Sequence, residues 1–149
     1  MSYNFGVVNL QMRYSIVLIS QPGLVPWFIK SITRSKWNHI GLIDDSGKIY
    51  DLDWGGPGVY RMENRSAWGF HILPITIVHP QVEVLYVSYR YSLWKNLNWL
   101  FQRLGISYRI FNPNPFRQNC VGFVAAIFGQ PEWVAFAPGD FETLQCQEP

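Results

Sequence analysis

A cysteine at the junction between a polar loop and an apolar helix constrains this chain most. The segment reads Arg117-Gln-Asn-Cys120-Val-Gly-Phe-Val-Ala-Ala-Ile-Phe128. Asn119 is a typical N-cap residue, so Cys120 is predicted in the first helical turn, where free backbone N–H groups favour a thiolate. The apolar residues that follow recur at helical spacing and predict a core-facing side: Phe123, Val124, Ile127 and Phe128. Cys120 is therefore a candidate nucleophile, and the alternative is a buried structural cysteine.

The composition indicates one globular domain over residues 1–149. Hydrophobic residues make up 48% and charged residues 15% of the chain, which is typical of a protein with a proper core. The net charge of +2 is low and the basic residues are scattered, so nucleic acid is not an expected partner. No apolar run reaches the roughly 18 residues of a transmembrane helix, and the N-terminus lacks the pattern of a signal peptide. We expect synthesis in the cytoplasm and no transmembrane segment.

The two cysteines, Cys120 and Cys146, are interpreted as free thiols. Cys146 lies in a polar tail and is interpreted as incidental. The spacing of cysteines and histidines matches no zinc site, and Gly55-Gly-Pro-Gly58 lacks the Lys and the helix of a phosphate-binding loop. No metal and no cofactor are therefore expected.

The hydrophobic pattern predicts an α+β domain with a run of antiparallel strands. Strands are predicted at residues 14–20, 37–43, 48–53, 59–64, 69–78 and 81–88, and helices at 24–35, 92–104 and from 120 onwards. The turn-rich segment 44–47 predicts a hairpin, segment 55–58 is predicted as a loop, and Pro74 predicts an edge strand or a bulge. Segments 106–116 and 131–139 are expected to be irregular.

The first predicted helix has an apolar stripe at helical spacing. The stripe consists of Leu24, Trp27, Phe28 and Ile32. We expect this stripe to face the core, with Lys30, Arg34 and Lys36 on the outer face and near the C-terminal end.

Cysteine-based acyl transfer also needs an imidazole and a group that orients it. His39 is the best candidate base, since it lies on a predicted strand beside Gly41, where a helix could pack closely. Asp51 or Asp53, on the return strand of the hairpin, could orient His39. The alternative is a hydrogen-bonded sheet histidine without a catalytic role.

The order of these segments resembles the circularly permuted NlpC-type papain-like proteins, a group that includes the lecithin:retinol acyltransferase-like enzymes. Ser35-Lys-Trp-Asn-His39-Ile-Gly-Leu-Ile43 is similar to their histidine strand, and Asn119-Cys120-Val-Gly-Phe-Val124 is similar to their nucleophile helix. The histidine strand comes first and the cysteine helix last, as in that family. Residues 93–104 and 137–141 resemble the preceding helix and the closing segment.

The resemblance implies a permuted papain-like fold in which the nucleophile-bearing helix packs against an antiparallel sheet. It implies Cys120 as the nucleophile, His39 as the base, Asp51 as the third polar residue and Asp53 as its alternate. Tyr108 stands where NlpC-type proteins carry a tyrosine that helps to position the substrate.

Two positions beside the cysteine depart from the commonest family pattern. Asn119 stands in place of Asp, and Val121 in place of Ser. Neither change removes a catalytic atom, but both leave the substrate class open.

The resemblance also implies a function, which is the hydrolysis of amide bonds through a thioacyl intermediate. Bacterial cell-wall peptides are the commonest substrates of NlpC-type proteins. The missing signal peptide fits a component of a larger particle, such as a phage tail in the virion, or a cytoplasmic enzyme that acts on recycled peptides.

Two other functions stay open. One is hydrolysis or transfer of lipid or ester acyl groups, with Trp27, Phe28 and Trp54 as candidates to line an acyl groove. The other is a catalytically silent structural or binding component of an assembly, which the aromatic share of 17% also fits.

Overall fold

A computed structural model of the protein describes residues 12–53, 55–79, 90–106 and 117–144. Within these residues the strands are β1 (Met12–Ser20), β2 (His39–Asp44), β3 (Lys48–Asp53), β4 (Gly56–Arg61), β5 (Gly69–His79), β6 (Arg90–Tyr91) and β7 (Arg117–Gln118). The helices are α1 (Leu24–Thr33), α2 (Leu93–Arg103), α3 (Cys120–Phe128) and α4 (Phe141–Leu144), with short 3-10 helices at Met62–Asn64, Pro131–Ala135 and Pro138–Asp140. The predicted strand at 81–88 lies outside the described residues, as do residues 107–116 of the predicted loop.

The first five strands form one antiparallel sheet in the order β4-β3-β2-β1-β5. β6 and β7 form a separate parallel pair. The predicted α+β class with an antiparallel sheet is confirmed. None of the described helices is long and apolar enough to cross a membrane.

The main core lies where α3 packs on one face of the sheet. It joins alternate strand residues to the helix, among them Ile40, Leu42, Tyr50, Leu52, Phe123, Val124 and Ile127. The intervening strand residues form a second, smaller cluster of Val17, Ile19, Ile43, Ile49 and Tyr60. This alternation follows from the two-residue period of a strand and assigns each side chain of the hairpin to one of the two faces.

β5 behaves as its proline predicts. Pro74 has no N–H to donate to a ladder, and β5 stands at the end of the described strand order. The register between β1 and β5 also shifts between Ser15 and Val17, opposite the part of β5 that contains Pro74. The expectation of an edge position or a bulge is confirmed.

The predictions for residues 55–58 and 131–139 were wrong. Gly56, Pro57 and Gly58 pair with β3 as the first half of β4, because glycines without side chains can lie beside the buried residues of β3. Residues 131–139 contain most of two 3-10 helices instead of irregular chain.

The prediction that the apolar stripe of the first helix faces the core was also wrong. No residue of α1 is buried, and Leu24 is 80% exposed, Trp27 62% and Phe28 48%. The helix forms as its spacing predicts, but periodicity cannot show which side of a helix meets the protein.

Asp51 occupies the centre of a row of residues across three strands. Gly41 of β2 and Gly58 of β4 are its direct neighbours in the register. A Cβ at Gly58 would stand 2.9 Å from Asp51 Oδ1, and a Cβ at Gly41 would stand 2.8 Å from the Tyr50 carbonyl oxygen and 3.2 Å from Asp51 Cβ. Gly41 therefore makes room for β3, and the expectation that it makes room for a helix was wrong.

We predict that Gly58→Ala destabilises the fold by about 1–3 kcal/mol, since the new methyl group overlaps the Asp51 carboxylate and must displace it. The measurement is the free energy of unfolding in urea. Gly55→Ala is the matched control, because a Cβ at Gly55 meets no atom within 4 Å, and its effect should stay within about 0.5 kcal/mol. Equal effects of the two substitutions would contradict the close packing.

Candidate active site

A cleft of ≈ 450 Å³ lies at the end of the sheet where β1 and β3 end and β2 begins. Cys120 and Asn119 at the start of α3 line it together with His39 at the start of β2. Asp53, at the end of β3, is also part of its wall. The antiparallel order explains this meeting of elements, because alternate strand ends converge on the same edge of the sheet.

Cys120 stands at the first position of α3, as predicted. Asn119 is the N-cap, and its Oδ1 accepts a hydrogen bond of 2.7 Å from the Gly122 amide. The Cys120 side chain is partly exposed, whereas Phe123 and Val124 behind it are buried in the main core. The helix is thus anchored from behind while its first residue reaches the cleft.

Gly122 makes room within its own segment. A Cβ there would overlap Gln118 Oε1 and stand 3.1 Å from Asn119 Oδ1. The glycine therefore lets the N-cap loop close over the first turn of α3.

His39 and Asp51 form a buried pair. The exposed fraction is 4% for His39 and 3% for Asp51, and His39 Nε2 lies 2.9 Å from Asp51 Oδ2. The same carboxylate oxygen accepts a hydrogen bond of 2.7 Å from the Tyr60 hydroxyl. Burial and the Asp51 charge raise the pKa of Tyr60, so the phenol keeps its proton and donates it. His39 of β2 and Tyr60 of β4 thus both bond the same carboxylate oxygen of Asp51, which lies on β3.

His39 and Cys120 line the same cleft, and Cys120 is close enough to the buried imidazole for its charge to act on His39. Burial alone lowers the pKa of His39, but the charge of a Cys120 thiolate and the hydrogen bond to Asp51 outweigh it, so that the pKa of His39 is raised well above its usual value. Since Nε2 is held by Asp51, Nδ1 is the ring nitrogen left to exchange a proton with the thiol. The structure therefore brings Cys120, His39 and Asp51 together, as the sequence predicts.

Asp53, the alternate third residue, has a different partner. Its Oδ2 accepts a hydrogen bond of 3.0 Å from Gln21 Nε2. Gln21 and Asn38 form two hydrogen bonds with each other. The backbone N–H of Gln21 donates to Asn38 Oδ1 at 2.7 Å, and Asn38 Nδ2 donates to Gln21 Oε1 at 2.8 Å. Asp51 is thus the aspartate that bonds His39 and holds its orientation. Asp53 is a polar residue in the wall of the cleft. Tyr108 lies outside the described residues.

The cleft also contains Tyr91, which the sequence did not single out. Its pKa is raised by burial, then by the negative charges of Cys120 and Asp53, and Asn96 Nδ2 donates to its hydroxyl. A protonated phenol close to the thiol can donate a hydrogen bond to a reacting oxygen. Its two-residue strand gave no periodic signal that could have identified it. Tyr60 was also missed. The strand that contains it was predicted to begin at residue 59, so the pairing of Gly58 with Asp51, which brings the Tyr60 hydroxyl to the Asp51 carboxylate, was not foreseen.

Among the residues that the structure describes, no group of three or more His, Cys, Asp or Glu side chains is arranged to hold a metal ion. A scan against protein-family models, a search of the curated proteins and a search of the solved structures found no match to this chain.

We predict a loss of stability with rising pH that depends on His39. A pKa raised above the unfolded value of about 6.5 means that the folded state holds the His39 proton more tightly. The stabilisation is complete below about pH 6.5 and is lost as the pH rises through the folded-state pKa. Urea unfolding from pH 6 to 8 should show a steeper fall for the wild type than for His39→Gln. Parallel curves would contradict the raised pKa.

We predict that Tyr60→Phe slows alkylation of Cys120 at pH 6, because the Asp51 carboxylate loses one of the two donors that fix it beside His39. Tyr50→Phe is the matched control. Tyr50 is also buried and donates to a carboxylate, that of Asp44 at 3.1 Å. Both variants should lose about 1–2 kcal/mol of unfolding free energy, but only Tyr60→Phe should change the alkylation rate. A similar change in both would mean that Tyr60 acts on stability alone.

Proposed function

We propose that this protein is a cysteine-dependent hydrolase of amide bonds with a permuted papain-like fold, and that its substrates are bacterial cell-wall peptides. The observation that carries the chemistry is the thiol of Cys120 at a helix start, beside a buried His39 that is held by Asp51. The resemblance of the sequence to NlpC-type proteins supports the substrate class. Association with a larger particle stays a prediction from the sequence.

The reaction uses the three side chains in turn. His39 takes the proton of Cys120, and the thiolate attacks the substrate carbonyl. The resulting imidazolium gives its proton to the leaving amine, and a thioacyl-enzyme remains. Water, deprotonated by His39, then releases the acid. Asp51 keeps the ring oriented and stabilises its positive charge throughout.

The start of α3 supports the stabilisation of the oxyanion. The backbone N–H of Cys120 belongs to the first helical turn and has no intrahelical acceptor. The Tyr91 hydroxyl is a second donor in the cleft. In this arrangement both donors meet the oxygen on which charge develops.

A second candidate function is hydrolysis or transfer of acyl esters. The specific observation in its favour is the apolar wall of the cleft, which includes Val25, Pro26, Ile29, Trp68 and Phe136. Such a wall suits a hydrocarbon chain better than a charged peptide. Hydrolysis of nitrophenyl acyl esters in preference to peptidoglycan fragments would favour this second function.

The first test is the rate at which iodoacetamide alkylates Cys120 as a function of pH, with Cys146→Ser as the background. At pH 6 we expect His39→Ala to react at least about tenfold more slowly, because no imidazolium stabilises the thiolate. His71→Ala is the control, since His71 is an exposed histidine of β5 that stacks on Trp37, and it should react like the background protein.

A positive result is followed by incubation with peptidoglycan fragments and mass spectrometry of the trapped thioacyl-enzyme. Equal alkylation rates with and without His39 would rule out the catalytic pair. The chain would then be a scaffold without catalysis, and the structural role in an assembly would be the remaining alternative.

A further inference from the structure

The first two turns of α1 carry an exposed apolar surface. We call it the α1 apolar face, and it consists of Leu24, Val25, Trp27 and Phe28. Leu24, Trp27 and Phe28 lie three and four residues apart and share one side of the helix. Val25 is 48% exposed and extends this side towards the cleft, which it also lines. The other exposed large apolar residues of the described chain are spread over β4, β5, the 3-10 helix Pro131–Ala135 and the segment directly after α2. Four together on one short helix form a patch of the kind that marks an interaction site.

The residue types on this surface fit the boundary between lipid headgroups and acyl chains. Trp is characteristic of that boundary, where its ring is apolar and its N–H stays wet. A helix of 10 residues is about 15 Å long, which is too short to span a bilayer but sufficient to lie in its surface. The exposed stripe continues along the helix with Ser31, so the apolar part is confined to one end.

The charged residues of α1 itself and of the segment that follows it are all basic. From Leu24 to Ile43 the chain contains Lys30, Arg34 and Lys36 and no Asp or Glu. Arg34 and Lys36 are exposed directly after the helix. Apolar aromatic residues followed by exposed cations are typical of helices that bind anionic lipid surfaces.

We propose that the α1 apolar face docks this protein on an anionic lipid surface. The helix lies in the plane of the surface, Trp27 and Phe28 enter the acyl boundary, and Arg34 and Lys36 contact lipid phosphates. Docking does not require the proposed thiol chemistry. It would bring the mouth of the cleft towards the surface, because Val25, Pro26 and Ile29 of the same helix line that cleft.

The test is co-sedimentation of the full chain with vesicles of phosphatidylcholine and phosphatidylglycerol, compared with vesicles of phosphatidylcholine alone. The wild type should pellet with the anionic vesicles. Trp27→Ser combined with Phe28→Ser should lower the partition coefficient by about tenfold or more, since two large apolar side chains no longer enter the boundary. Arg34→Gln and Lys36→Gln should each lower it about fivefold, and only for the anionic vesicles.

Two controls separate this docking from other effects. Ile72→Ser combined with Val78→Ser removes apolar side chains of comparable exposure, 47% and 51%, from β5 and should leave binding unchanged. Cys120→Ser should also bind as the wild type does, so failure of docking and failure of the catalytic pair can be told apart. Because Trp27 and Phe28 are exposed, their replacement should leave the thermal transition in place.

The proposal is wrong if the wild type stays in the supernatant with anionic vesicles, or if the Trp27 and Phe28 variant pellets equally well. Sedimentation velocity of the same proteins gives the remaining outcome. If the wild type ignores the vesicles but forms a dimer that this variant abolishes, the α1 apolar face is a protein interface and the lipid proposal falls.

Discussion

The site depends on one buried carboxylate, that of Asp51. A charge removed from water is stable only when donors replace the lost hydration, and the effective penalty amounts to several kcal/mol for an unpaired ion. Asp51 meets this requirement with His39 on one neighbouring strand and Tyr60 on the other. The strand register fixes both donors, and Gly58 leaves space for the carboxylate. The position of the imidazole is thus a consequence of how three strands pair.

The second constraint is the packing of α3 on the sheet. The helix is apolar on almost all sides, and six of its residues are buried, so its position is set by the core and not by the cleft. The N-cap Asn119 marks the start of α3 at the end of the sheet. Cys120, the first residue of the helix, therefore lies at the same cleft as His39. Because the apolar contacts are made behind the thiol, the front of the first turn stays available to a substrate.

α1 shows the opposite distribution of polarity. Its apolar residues contribute to neither core cluster, yet the helix stays in place, partly through Lys30 Nζ, which donates to the Gln21 carbonyl at 2.8 Å. Gln21 in turn bonds Asp53 and Asn38 at the cleft. The helix is therefore connected to the candidate site by these polar contacts and by Val25, Pro26 and Ile29, which line the cleft. Its residues Leu24, Trp27 and Phe28 face outward. A surface that binds to α1 would act close to the cleft.

The sequence by itself predicted the main helices and the hairpin, together with Cys120, His39 and two candidate aspartates. Helical spacing, the Asn119 cap and the turn at residues 44–47 are local signals, so the hairpin, α1 and α3 could be predicted, as could the edge position of β5 from Pro74. The choice of Asp51 over Asp53, the role of Tyr60, the presence of Tyr91 in the cleft and the outward side of α1 were decided only in the tertiary structure. Each of these depends on which residue of another strand or helix stands opposite, and that information is carried by register and packing between segments far apart in the chain. A periodic pattern fixes which residues of an element share a face, but only the partner element decides whether that face meets protein or solvent.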